Sequence, residues 1–426
     1  MIRRSEIWPD ALGMPIRLVK QAMGWRPGRL ARNSSSLLAW MLLRAAAQAG
    51  TVLLLARTLG ASAYGQFVAV VAVASFLWPF IGLGLSQILL RNGAKDPAHM
   101  QVYLGRAARW WLLTLVPGIV VGNLIAVLLL PAGLPHLAVF AAIGADLGAT
   151  SLTELRARHR QAEHRINAYG AINAGLPLVR LAALGLLFAT AGSAKTEEAL
   201  WIYAMASLAC VLLLWVPLRR GEHGGKALEP MEPMSATSGL SFSMASFAVR
   251  LQSEFNKPVL AHLGFDLAGA YNVAQRANDI VGMPLSALQE SLWPRLYAHS
   301  DPLRQLRRTG LLLLLLATAS GVFIWLAAPF LPVILGSDFG KAATVMRSLA
   351  WLPLLQSFRS LANFHAIYHG RMKLIGWAYV IGASLSVACV IALVPTTGIS
   401  GAVFASYISE IAMIIFLTGG AKAIKT

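Results

Sequence analysis

Apolar runs of about 19 to 26 residues recur along the chain, separated by short polar stretches that concentrate arginine and lysine. A helix of that length, at 1.5 Å per residue, matches a hydrocarbon layer of about 30 Å. The pattern predicts twelve such segments: 35–56, 64–90, 110–131, 135–153, 168–190, 199–217, 240–263, 269–294, 309–332, 343–367, 372–395 and 398–418. Backbone polar groups in lipid must bond within their own segment, so each is expected to be helical. The segments at 135–153 and 240–263 stand apart because they carry charges.

Composition agrees: 57% of the 426 residues are hydrophobic and 13% charged, where a soluble domain carries about a quarter charged. No globular core could enclose that much apolar surface, so a soluble protein is excluded. The formal net charge of +18 sorts by loop. With the N-terminus inside, 26 Lys and Arg fall in inner segments and 4, Arg57, Lys195, Lys341 and Arg347, in outer ones. Basic residues are retained on the cytoplasmic side, so an even number of spans with both termini cytoplasmic is expected. The charge is a topology signal and gives no reason to expect nucleic-acid binding.

This reading divides the chain into a basic tail 1–34, a six-helix bundle 35–217, a cytoplasmic connector 218–239, a second six-helix bundle 240–418 and a tail 419–426. In the first tail Trp8, Leu12, Leu18, Val19, Met23 and Trp25 alternate with bases. The tail lacks a compact apolar core with a small-residue cleavage site, so it is expected to be retained, lying on the anionic inner leaflet or disordered. Cys210 and Cys389 fall in apolar segments far apart in sequence and are expected as free thiols. No metal-ligand spacing, phosphate-cradling glycine loop or nucleophile elbow is found, and neither a cofactor nor an enzymatic activity is expected.

The two halves repeat one another. Leu59, Gly60, Gly65 and Phe67 in "ARTLGASAYGQF" return 204 residues later as Leu263, Gly264, Gly269 and Tyr271. Pro79 and Pro284 follow in the next segment, and Arg91 and Arg295 each lie 26 residues beyond the second glycine. Six is even, so both halves enter the membrane from the same side. The fold predicted is an all-α polytopic membrane protein of about twelve transmembrane helices, built as two parallel six-helix repeats around a central cavity. The first connection between segments is only about seven residues, and Gly60, Gly65, Gly264 and Gly269 are expected to form hairpin turns, with hinge bending during transport as a further possibility.

"ARTLGASAYGQF" followed by "PFIGLGLSQILLRNGAK", and "EFNKPVLAHLGFDLAGAYNVAQRANDIVGMPLSALQESLWPRL" in the second half, resemble the polysaccharide flippases of the multidrug, oligosaccharidyl-lipid and polysaccharide exporter superfamily. The specific motifs lie in residues 56 to 94 and 254 to 296. The resemblance implies a flippase that moves an undecaprenyl-diphosphate-linked oligosaccharide from the inner to the outer leaflet of a bacterial inner membrane for O-antigen, capsule or exopolysaccharide synthesis. Membrane lipids, a glycan polymerase and a chain-length regulator are the implied partners, a monomer the implied state, and a proton or sodium gradient the implied drive. Glu254 and Lys257 stand where the family pattern has an aspartate followed closely by a base.

Six bases remain inside segments: Arg44, Arg180, Arg250, Lys257, Arg276 and Arg359. Each costs roughly 2.5 to 3.5 kcal/mol at a helix centre on insertion scales, so something must compensate. Arg250, Glu254 and Lys257 share one helical face, Asn272, Arg276 and Asp279 another, Arg44 and Gln48 a third, and Gln356, Arg359 and Asn363 a fourth. Such stripes face a cavity or each other. The six bases are candidate ligands for an anion crossing the membrane, since arginine stays charged and presents a planar fork to phosphate. Asp146, Glu254 and Asp279 are the candidate coupling acids. Alternatively the charges are internal ion pairs that pin the bundle. A drug exporter of the same fold would favour acidic and aromatic walls, a peptidoglycan-precursor flippase two further spans, and a glycan polymerase or ligase an outer loop longer than the roughly ten residues found here. A structural scaffold leaves the buried bases unexplained.

Overall fold

The computed structural model describes residues 29–191, 194–221, 235–298 and 302–422, and these are helical almost throughout, with no strand among them. The helices are α1 (Arg29–Leu77), α2 (Leu85–Lys95), α3 (Met100–Leu129), α4 (His136–Ala162), α5 (Ile166–Ala191), α6 (Thr196–Gly221), α7 (Ala236–Glu254), α8 (Asn256–Leu263), α9 (Phe265–Ala298), α10 (Pro302–Ala327), α11 (Leu331–Leu335), α12 (Gly340–Leu349), α13 (Leu352–Tyr368), α14 (Met372–Thr397) and α15 (Ile399–Lys422). Most of the basic tail, the centre of the connector and the last four residues lie outside the described residues.

Among the described residues, eight stretches are long and apolar enough to cross a membrane. The first, Ser36–Phe80, has 45 residues and would span roughly 70 Å if straight, more than twice the hydrocarbon thickness. It is two arms, because the backbone leaves the helix at Gly60 (φ 78°, ψ 172°). Three further rods, α7 with α8, α9, and α12 with α13, complete a polytopic membrane protein of about twelve spanning helices in two six-helix repeats. Those three carry Arg250, Glu254, Lys257, Arg276, Asp279 and Arg359, and two of them are broken into shorter helices, so length and apolarity together pass over them.

The expected seven-residue hairpin loop is absent. The chain turns at Gly60, in the left-handed region that glycine enters freely. The matching break falls at Gly264, between α8 and α9. Gly65 and Gly269 correct the turn assignment made for all four glycines, since both lie within helices. A Cβ on Gly65 would stand 1.7 Å from the carbonyl oxygen of Phe265, and one on Gly269 would stand 2.6 Å from that of Ala61. The repeated glycine therefore lets the two halves cross backbone against backbone.

At this corner end of the molecule the halves are further joined by Asn272, which donates from Nδ2 to the Tyr64 hydroxyl at 2.6 Å, and by the Tyr64 and Phe339 rings, 6.3 Å apart. His262 Nε2 also lies 3.0 Å from the carbonyl oxygen of Leu129. At the opposite end the second arm of α1 unwinds through Trp78–Phe80, and Gly82, Leu83 and Gly84 all take positive φ. Ser243 of α7 donates to the carbonyl of Pro79 at 2.7 Å, and Phe80 meets Phe247 at 5.0 Å. The second half does not copy this break. α9 runs through Pro284 unbroken, with Ser286 and Leu288 where the first half has Gly82 and Gly84.

Candidate functional site

Between the halves lies a cavity of about 710 Å³, lined by both arms of α1 and by α4, α5, α7 and α9. Among the described residues six basic side chains line it, Arg44, Arg158, Arg180, Arg250, Lys257 and Arg276, against three carboxylates, Asp146, Glu154 and Glu254. How these pair decides what the cavity can bind.

Asp146 is the best-satisfied carboxylate. Its Oδ1 accepts from Arg180 at 2.5 Å, Tyr203 at 3.0 Å and Thr150 at 3.0 Å. Arg180 also donates from Nε to Ser207 at 2.9 Å and stands 4.2 Å over the Tyr203 ring. The group joins α4, α5 and α6, so both ions are held by ring, hydroxyl and each other. Glu154 accepts from Arg158 at 2.7 Å and from Gln87 at 3.1 Å.

Glu254 closes α7. Pro258 has no N–H to return to the Glu254 carbonyl, and the rod divides there into α7 and α8. The Glu254 carboxylate holds the buried Lys257 ammonium on one oxygen and meets Arg276 at 3.6 Å on the other. Arg276 also meets Asp279 at 3.5 Å, with Asp279 half exposed. These two contacts exceed hydrogen-bond length, so Arg276 is only loosely committed.

Arg44 and Arg250 have no carboxylate within ion-pair distance among the described residues. They come from opposite halves and line the same cavity, where Arg250 repels Arg44 and Glu154 attracts it from beyond ion-pair distance. Arg250 finds a weak partner in the Trp78 ring, 5.9 Å away. Five of the six predicted bases thus converge on one cavity, although Arg180 and Lys257 are already paired. Arg359 does not join them. It lines a separate pocket in the second half, donating from Nε to Glu410 at 2.7 Å and from Nη1 to the Tyr379 hydroxyl at 2.7 Å. Of the candidate acids, Asp146 and Glu254 line the central cavity and Asp279 lines the second pocket.

Arg158 and Glu154 escape the sequence reading because apolarity ends at 153, which places Arg158 in a loop. The helix continues to Ala162. Asp146, Thr150, Glu154 and Arg158 recur every fourth residue, a spacing that puts them on one face, and all four line the cavity. Tyr203 and Tyr379 carry no such signal, since each acts through helices remote in sequence.

A family model described as polysaccharide biosynthesis protein matches residues 30–299. No curated protein matches the chain. Among solved structures, an inward-facing multidrug-resistance MATE family transporter of the MOP superfamily shares 13% identity over 96% of this chain and 98% of that one, with a TM-score of 0.65. The MATE multidrug transporter DinF-BH shares 14% identity over 100% and 99%, with a TM-score of 0.64. The lipid II flippase MurJ in an inward closed conformation shares 12% over 91% and 87%, with a TM-score of 0.63. At such identities the three establish the fold alone.

Proposed function

The chain belongs to the polysaccharide biosynthesis protein family, and from that premise we propose that it is an alternating-access flippase for a polyprenyl-diphosphate-linked oligosaccharide, undecaprenyl in a bacterial inner membrane. One observation carries the reading: Arg44 and Arg250, supplied by opposite halves, face a single cavity without carboxylate partners. Two guanidinium groups without an ion pair on the wall of one cavity are matched by a ligand with two linked anionic groups, and a diphosphate is such a ligand. Each fork offers a phosphate parallel N–H donors. The sugars would stay within the polar interior of the protein while the polyprenyl tail stays in lipid.

A cation exporter of the same fold would need an excess of carboxylate, and here bases outnumber acids two to one around the cavity. The loop bias of 26 to 4 supports cytoplasmic termini and puts the corner end, where Gly65 and Gly269 cross, at the outer face. The contacts at that end then describe a state closed to the outside. Glu254 is the coupling acid best placed to sense cargo, because phosphate bound to Arg276 would release its carboxylate from one of two cations.

The test uses Arg44→Gln and Arg250→Gln. Loss of a charge-assisted hydrogen bond weakens binding roughly 10- to 100-fold. Both variants should insert normally, lose surface glycan and bind undecaprenyl diphosphate that much more weakly in nanodiscs, with lysine restoring only part. Unchanged binding in both would refute the diphosphate site.

A further inference from the structure

We propose that the second pocket, enclosed by α9, α13 and α14, is a carbohydrate-recognition site that receives uncharged sugar rings of the cargo while the diphosphate sits in the central cavity. The inference rests on the flippase reading and adds a place where the glycan itself is sensed. The pocket has a volume of about 530 Å³, within the usual range for small-molecule sites.

Its chemistry differs from that of the central cavity. Asn278, Gln289, Gln356, Ser360, Asn363 and Tyr379 supply amides and hydroxyls, and Asp279, loosely paired with Arg276, supplies a carboxylate. Arg359, the base in the pocket, is neutralised by Glu410 and held by the Tyr379 hydroxyl, which also accepts from Asn363 Nδ2 at 3.2 Å. The site therefore does not compete for phosphate.

Two atoms point to a ligand. The side-chain oxygens of Asn278 and Asn363 have no hydrogen-bond partner, and the two residues are 6% and 9% exposed. Their nitrogens are committed inside the protein, Asn278 to the Leu349 carbonyl at 3.3 Å and Asn363 to Tyr379. Both residues line the pocket, and their oxygens, closed over at its wall, are acceptors without donors, which costs stability unless the wall opens to something with hydroxyl groups. A sugar ring presents several hydroxyl donors at fixed spacing. Tyr379 lines both cavities, so the pocket opens beside the proposed diphosphate site, and one ligand can reach both.

The experiment compares two probes on the full-length protein in nanodiscs: undecaprenyl diphosphate, and the lipid-linked oligosaccharide extracted from cells deleted for this gene. The wild type should bind the glycosylated lipid roughly tenfold more tightly, the effect of one or two hydrogen bonds. Asn278→Leu combined with Asn363→Leu, which keeps the branched outline of the side chain, should abolish that preference and leave undecaprenyl diphosphate binding unchanged. As a measurement on unmutated protein, the oligosaccharide freed from its lipid by mild acid should displace the glycosylated lipid and not undecaprenyl diphosphate. Equal affinity for both lipids in the wild type, no displacement by the free oligosaccharide, or a preference that survives in the double variant, would overturn the sugar site and leave the diphosphate reading intact. If neither lipid binds the wild type, both readings fall.

Discussion

Charged residues within the membrane divide here by whether a partner already holds them, and single substitutions should separate the two kinds. Arg180 and Asp146 form a buried pair across α4 and α5. Removing one partner strands the other, at a cost of about 3–5 kcal/mol. Arg180→Gln should therefore lower membrane abundance, and Arg180→Gln with Asp146→Asn should restore it, as measured by immunoblot and thermal melting. Arg44→Gln should leave abundance unchanged, because no carboxylate depends on it. Arg276 falls between these cases. Its ion pair with Asp279 is long and open to solvent, and such pairs contribute about 0–1 kcal/mol. Arg276→Gln should keep the protein in the membrane while reducing export. Recovery of export on adding Asp279→Asn would remove Arg276 from the substrate site.

The informative elements are the crossing helices. Each half buries an arginine, a carboxylate and a tyrosine among its last three spans, Arg180 with Asp146 and Tyr203, and Arg359 with Glu410 and Tyr379. Among the described residues, Arg359 and Tyr379 of the second group line a pocket with unpartnered amides. At the crossing itself, Gly65→Ala would drive a methyl group into the Phe265 carbonyl. We expect a loss of about 1–3 kcal/mol or more, as for other overpacked sites, together with impaired closure at the corner end. Gly175→Ala in α5 is the control, since its Cβ would meet nothing within 4 Å. It should melt at or slightly above the wild-type temperature. Equal melting of the two variants would dismiss the close crossing.

For the whole molecule, the direction of the chain and closure at one end are testable together. Reporter fusions after Lys226 and after Thr426 should both report the cytoplasm, and a periplasmic signal from either would dismantle the two-by-six arrangement. Cysteines at Leu129 and His262, in a background with Cys210 and Cys389 replaced by Ser, should be joined by a reducible bis-methanethiosulfonate linker, because the His262 ring reaches the Leu129 carbonyl from the other half. If alternating access opens this end, cross-linking should stop export and reduction should restore it. Export that continues through a complete cross-link would place the moving parts elsewhere.

The sequence determined by itself that the protein is helical and membrane-embedded, because the length and apolarity of a segment fix its solvent without reference to any other segment. The same is true of the duplication, legible in Gly60, Gly65, Gly264 and Gly269, and of five cavity bases, since a charge in lipid is conspicuous wherever it is found. What those glycines do was decided by the tertiary structure: a glycine permits both a turn and a close approach, and only the position of Phe265 and Ala61 shows that Gly65 and Gly269 serve the second. Ion pairing between helices remote in sequence was equally out of reach. Arg180 and Arg359 have no acid within one helical turn, and their partners stand 34 and 51 residues away on helices that packing alone makes adjacent. That is why two bases read as equal candidates beside Arg44 prove to be already held, and why the unheld pair, Arg44 and Arg250, becomes visible only once both halves are in place.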